Sequence, residues 1–235
     1  DRSGPARATS GPDGRFVIDE VPLGTSRVLA WHKDYAPAGA ALALSDKAVH
    51  ETTIIMTGGG ALEGTLTGGG AVLRDAHLSI DSTVLEERFY DNVYPDAKGL
   101  FRAKHVAAGS TTINVLYKDR WYKFPASVIE GGTSRTDINL QVGTSTIDGT
   151  LMRDGEPVEG EIAVLLPIPG GGQERFTFNT TKSGRFYIDA LPAGRVELEA
   201  LSESGWKGQQ TIELVSDEVL QVVLDNQEAV ATPEP

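Results

Sequence analysis

The stretch DGRFVIDEVPLG, residues 13–24, decides how this chain is read. It has the pattern of a short strand with a turn at each end. A near copy, SGRFYIDALPAG, occupies residues 183–194 and shares seven of the twelve positions. A third version, KGLFRAKHVAAG at 98–109, keeps two glycines, the Phe and one Val. Phe16, Phe101 and Phe186 stand 85 residues apart each time, as do Gly14, Gly99 and Gly184, and Gly24, Gly109 and Gly194. A fixed period of this kind has to be found before a fold is assigned, because it sets the size of the repeating unit.

Other landmarks keep the same step. EGTL at 63–66 answers DGTL at 148–151, and Trp121 answers Trp206. Near the end the register slips by one residue, since Leu140 is matched by Leu224. That slip reads as a small insertion or deletion in a loop. A period of 85 exceeds the ~20–50 residues of solenoid repeats. It approaches the ~100 residues of an immunoglobulin-sized sandwich. The expected units are residues 58–142 and 143–227, with a partial first unit at 1–57 and a polar tail at 228–235. Residue 1 aligns with Gly171, so the first unit should lack its opening strands and show open sheet edges. The simplest expectation is a piece of a longer polypeptide.

Composition narrows the function classes. The 235 residues carry a formal net charge of −12 and no Cys. Nucleic-acid binding relies on Lys and Arg neutralising phosphates, so that class is disfavoured. No apolar run reaches the ~18 residues of a membrane-spanning helix, so no membrane insertion by this chain is expected. Without Cys there is neither a disulfide nor a thiolate metal site. The 27 glycines fit a chain with many tight turns.

Local patterns point to strands. RVELEAL at 195–201 alternates Val196, Leu198 and Ala200 with Glu197 and Glu199, as a half-buried strand does. The aligned inward positions are Thr111, Ile113 and Val115 in the second unit, and Ser26, Val28 and Ala30 in the first. In the quoted stretch, Phe16 and Ile18 should face a core while Arg15, Val17 and Asp19 face out. Pro22 has no N–H for a ladder and Gly24 permits the next turn. STVLEERFYDNV at 82–93 comes nearest to a helical period and is expected to hold at most one helical turn. The expected fold is all-β, with tandem Greek-key antiparallel β-sandwiches of about seven strands each and little or no helix.

The third unit resembles the carboxypeptidase regulatory-like domain, a transthyretin-like (prealbumin-like) sandwich. The residues that carry the likeness are TIDGTLMRDGEPVEGEIAVL, then KSGRFYIDALPAG, then RVELEALSESGW. The first unit fits over its surviving part. The second keeps AKGLF and VAAG but lacks the Pro. The resemblance implies a seven-stranded Greek-key sandwich. It implies little about activity, since such domains accompany peptidases, transporters and surface proteins alike. Some relatives carry a Lys–Asn isopeptide cross-link. The strands ALEGTLT and TIDGTLM offer no Lys, so none is expected.

No catalytic constellation is legible. His32, His50, His77 and His105 form no zinc-ligand pair, and the triglycines lack the Lys-Ser/Thr of a phosphate loop. RDGEPVEGE at 153–161 lacks the ligand spacing of a calcium loop and reads as a turn. The expectation is no enzyme, no cofactor and no bound metal. The candidate interaction residues are aromatic or apolar. Leu29 and Trp31 occupy outward positions where the third unit has Glu199 and Leu201, so something should cover them. Trp121 and Tyr122 in DRWYKFP could stack on a sugar, although the matched Trp121 and Trp206 read more simply as fillers of one core corner. The leading reading is a non-enzymatic structural or interaction array, stalk-like or fibre-like, within a secreted or cell-surface protein, bacterial in character. Its partners would be neighbouring domains. The alternatives are a polysaccharide-binding module, or an accessory region of a secreted peptidase or outer-membrane transporter.

Overall fold

The computed structural model describes residues 6–46, 49–167, 172–202 and 207–225. Among them all regular structure is strand and there is no helix. The first repeat contributes β1 (Gly24–His32) and β2 (Tyr35–Leu44). The second contributes β3 (Gly60–Gly68), β4 (Ala71–Val72), β5 (His77–Val84), β6 (Glu87–Val93) and β7 (Leu100–Val106). It continues with β8 (Gly109–Tyr117), β9 (Arg120–Val128), β10 (Thr133–Arg135) and β11 (Ile138–Leu140). The third contributes β12 (Ser145–Arg153), β13 (Glu156–Pro157), β14 (Gly160–Pro167) and β15 (Gln173–Asn179). It ends with β16 (Arg185–Leu191), β17 (Gly194–Ser202), β18 (Lys207–Leu214) and β19 (Val219–Leu224).

The second and third repeats build the same two-layer sandwich. One layer has the order β6-β5-β8-β9, matched by β15-β14-β17-β18. The other centres on the first strand, with β3 between β7 and β10–β11, and β12 between β16 and β19. The alternating positions do what their pattern foretold. Thr111, Ile113 and Val115 are buried, and so are Val196, Leu198 and Ala200. They meet Leu62, Leu66, Ile147 and Leu151 from the facing layer.

The antiparallel expectation needs one correction in each sandwich. The last strand runs parallel to the first: β11 along β3, and β19 along β12. The cause is the route of the chain. After β9 it crosses to the end of the sandwich where β3 begins, and Gly131 N donates to Gly59 O at 2.9 Å. The last strand therefore starts beside the first and follows it. Asp137, at the break between β10 and β11, accepts from Thr65 N at 2.9 Å and Thr65 Oγ1 at 2.7 Å. Arg135 and these two donors hold its carboxyl down to about 2.

The repeated motif proves to be a repeated backbone. Gly14, Gly99 and Gly184 have φ of 78°, 78° and 69°, and Gly24, Gly109 and Gly194 have 112°, 114° and 115°. Between them Glu20, His105 and Ala190 sit in the left-handed region at 56°, 58° and 52°, although none is glycine. In the complete sandwiches this residue belongs to a β-bulge. Lys104 and His105 oppose the single residue Ala61, and Asp189 and Ala190 oppose Thr146. The matched EGTL and DGTL have a steric meaning too. Gly64 lies opposite Phe101 and Gly149 opposite Phe186. A Cβ on Gly149 would stand 2.2 Å from the Phe186 ring. The ring lies over the glycine and is buried there, which stabilises each sandwich by ~2–3 kcal/mol.

One sequence expectation is refined here and one fails. Residues 82–93, the nearest candidate for a helical turn, hold none. They are a hairpin of β5 and β6 around Leu85 and Glu86, both at positive φ (49° and 68°). Arg27 of the first repeat binds that turn through Leu85 O at 2.6 Å and through Glu86 and Glu87 at 3.0 Å each. Within the quoted stretch, residues 15–23 pair with no strand and so form none, and Gly24 opens β1. Its side chains alternate as expected, with Phe16 and Ile18 half-buried and Val17 exposed. What is missing is a partner, because the described residues hold no first-repeat counterpart of β3 or β12.

Candidate interface between consecutive sandwiches

Hairpin tips carry the contacts from one repeat to the next. The tip of β8–β9 reaches the bulge of the third repeat. Arg120, only 2% exposed, donates from Nη2 to the carbonyls of Asp189 and Ala190 at 2.9 Å each. These are the two residues of the β16 bulge. The extra residue of a bulge disrupts the ladder and leaves backbone groups in want of partners. A guanidinium is a suitable one, with several donors on a planar fork. Its Cζ also lies 5.7 Å from the centre of the Phe176 ring. Tyr122, 4% exposed, packs its ring 5.1 Å from that of Phe176. Lys118 pairs with Asp189 at 3.2 Å, an exposed contact of small energetic weight. Burial pushes the Tyr122 phenol up to about 12.

The same parts recur where the first repeat meets the second, with different side chains. The tip of β1–β2 places Lys33 and Tyr35 where the other tip has Lys118 and Arg120. The facing bulge offers Lys104 and His105 in place of Asp189 and Ala190. This joint is held instead by Arg27 on the β5–β6 turn and by Gly59 packed against Ala36. Beside it Ala36 N donates to Thr57 O within the first repeat, and His105 Nδ1–H donates to Gly58 O within the second, at 3.0 Å each. Gly59 makes this approach possible, since a Cβ there would lie 2.7 Å from the Ala36 methyl and 2.6 Å from Val106 O. Beside these contacts remains a cleft of about 240 Å³ whose walls include Trp31, Tyr35, Phe89, Tyr90, Asp91 and Lys104.

The four sequence candidates fall in different places. Leu29 and Trp31 do face outward, with Trp31 71% exposed on the rim of that cleft. Trp121 is 49% exposed, so it is no core filler, and Trp206 lies outside the described residues. Trp121 points away because β9 turns Arg120 and Tyr122 toward the joint, and alternation sends Trp121 to the other side. Tyr122 is buried in the joint and cannot share a stacking platform with Trp121. Arg120 is the residue that sequence reasoning passed over. Its parity with Tyr122, two residues on, was the available signal. Among the described residues no group of three or more His, Asp or Glu is placed to hold a metal ion. No described helix is long and apolar enough to cross a membrane.

No family model matches the chain, and no curated protein matches it in sequence. Among solved structures, a streptococcal ancillary pilin is similar over 94% of this chain and 80% of its own, at 12% identity and a TM-score of 0.34. GBS52, the minor pilin of Streptococcus agalactiae, is similar over 88% of this chain and 96% of its own, at 11% identity and TM-score 0.32. The Bacillus anthracis TIE protein is similar over 96% of this chain, at 11% identity and TM-score 0.32, and this chain spans 50% of that one. TM-scores at this level carry no functional inference.

Proposed function

We propose that the chain is a structural array of β-sandwich domains, without catalytic chemistry of its own, in a larger exported or cell-surface protein of stalk-like or fibre-like build and bacterial character. In this reading residues 58–142 and 143–227 are whole domains of the carboxypeptidase regulatory-like kind, and 1–57 belongs to another. Their partners are neighbouring domains of the same polypeptide or assembly. The observation that supports it is the buried Arg120. A cation is costly to desolvate, and here its reward is to tie one sandwich to the bulge of the next. Only four residues separate the end of β11 from the start of β12, which leaves little slack. Small-angle scattering of the full chain tests the reading. A stiff array scatters as one elongated body, and Arg120→Ala broadens the distribution of shapes. A wild-type profile of independently tumbling beads would sink it.

The cleft at the first joint favours a second reading, a site for a neutral saccharide. Trp31 and Tyr90 offer exposed aromatic faces, and Asp91 and Lys104 offer an acceptor and a donor beside them. Retention on immobilised glycans should vanish in Trp31→Ala. Absence of retention, or retention indifferent to that change, removes this reading.

A further inference from the structure

The second and third sandwiches share a backbone, so the side chains on their matching outer faces can be compared rung by rung. In the layer β6-β5-β8-β9, His77 lies opposite Leu116, and Leu116 opposite Trp121. Tyr94 follows the last residue of β6 and stacks on His77, with ring centres 5.0 Å apart and planes 20° from parallel. Tyr94, His77, Leu116 and Trp121 thus form one row across all four strands, on the face turned away from the core. Tyr94 is 68% exposed and Trp121 49%, and the two between them are half-buried. The next row on this face is polar throughout: Asn92, Ser79, Asn114 and Lys123, each opposite the next. A 2.9 Å hydrogen bond between His77 Nε2 and Asn92 Oδ1 ties the two rows together. In the third sandwich the row that answers the first of these is Asn179, Glu161, Leu201 and Lys207. It keeps the Leu and holds no ring, so the fold itself does not require the aromatic row.

We infer that this outer face of the second sandwich is a binding site for a neutral, extended glycan with equatorial linkages. The chain lies across the strands, with ring faces on Trp121 and Tyr94 and hydroxyls toward Asn92 and Lys123. Strand spacing and the repeat of same-face residues make the aromatic row ~14 Å long and ~7 Å wide. That strip is far too small for the apolar centre of a protein interface, which buries ~800 Å² on each partner. It suits a sugar chain, whose ring faces are C–H and whose rims are hydroxyl. The rims need donors and acceptors alongside, and the neighbouring row supplies amides, a hydroxyl and an ammonium. A protein of net charge −12 repels a polyanionic glycan, so the occupant is neutral. Equatorial linkages keep successive rings in one flat ribbon, whereas axial ones coil away from a flat sheet. The rings are in place beforehand: Tyr94 rests on His77, His77 on Asn92, and Trp121 stands between Arg120 and Tyr122, both buried in the second joint. Little side-chain freedom is then lost on binding. This face is separate from the cleft that Trp31 borders, and it does not depend on how stiff the array is.

The test titrates the full chain with three β-1,4-linked pentasaccharides, of glucose, mannose and N-acetylglucosamine, and follows the side-chain resonances of Trp121 and Tyr94. Saturable shifts with at least one of the three are expected, and maltopentaose, which is axially linked, should bind about tenfold more weakly or worse. Trp121→Ala should weaken binding by about tenfold or more, a difference of ~1.4 kcal/mol. Tyr94→Ala should weaken it in the same direction, and Trp31→Ala should leave the shifts at Trp121 unchanged. Trp121 and Tyr94 are exposed enough that both variants keep the fold, which unshifted exchange at residues 189–190 verifies. No saturable shift with any of the three sugars overturns the inference, and so does binding indifferent to Trp121→Ala. Binding lost in Trp31→Ala but kept in Trp121→Ala assigns the sugar to the cleft and overturns it as well. A concentration-dependent dimer that covers Trp121 without sugar does the same.

Discussion

The two joints share a design and differ in how they are filled. Both set a hairpin tip against a bulge whose second residue has a left-handed backbone. At the second joint that tip carries Arg120, and the bulge carbonyls are answered by a buried guanidinium. At the first joint the tip carries Tyr35, 47% exposed, and the contact is made by Ala36 packed on Gly59 and by Arg27 bound to the β5–β6 turn. The lesson is that a repeat can preserve the geometry of a contact while leaving its strength to two or three side chains.

The largest way to break this contrast is Arg120→Ala. Two hydrogen bonds from a charged donor are lost and two bulge carbonyls are left buried, so ~2–3 kcal/mol of stability should go. Thermal unfolding should separate into two transitions, and exchange should accelerate around residues 189–190. A single unshifted transition would show that the joint carries no such energy. Alkaline titration comes next. The Tyr122 phenol is raised to about 12 when folded, against about 10 for an ordinary tyrosine. The unfolded chain therefore ionises first. Stability from this group is full below pH ~10 and is lost as the pH rises toward 12. Tyr122→Phe should abolish that loss, and the first joint, with Pro37 at this position, should show none. Denaturant midpoints from pH 9 to 12 measure it.

The contrast is sharpened by transplantation. Tyr35→Arg combined with Lys104→Asp copies into the first joint both the guanidinium that meets the bulge carbonyls and, with Lys33 already in place, the Lys–Asp pair. A gain of ~1 kcal/mol is expected, with slower exchange at residues 104–106. A loss would mean that Pro37, in place of Tyr122, leaves the new guanidinium unsupported. The smallest effect belongs to Trp31→Ala. An exposed rim residue of this kind should change stability by no more than ~0.5 kcal/mol. A larger shift in the unfolding midpoint would place Trp31 inside the joint.

Much of this architecture could be read from spacing alone. The 85-residue step located matching strands, because side-chain alternation and glycine turns are local properties that survive repetition. Leu29 and Trp31 were correctly turned outward by the same parity. Arg120 escaped notice for a physical reason: its partners lie about 70 residues away, and nothing near it in sequence records them. The Leu85–Glu86 turn escaped for a similar one. Neither residue favours positive φ, and the turn is held by Arg27, almost 60 residues earlier. The unpaired state of residues 15–23 follows from the absence of a partner among the described residues, which no inspection of that stretch could reveal.

The parallel pairing of first and last strands has a mechanical consequence. A pull on the two ends of the third sandwich draws β12 one way and β19 the other, along their common axis. Their six paired positions, from Thr146 and Val219 to Leu151 and Leu224, are then loaded together in shear. An antiparallel pair held at one end would open a rung at a time. Stretching single molecules between their termini should therefore give high, abrupt rupture peaks for this sandwich, and Val222→Pro, which removes a rung, should lower them.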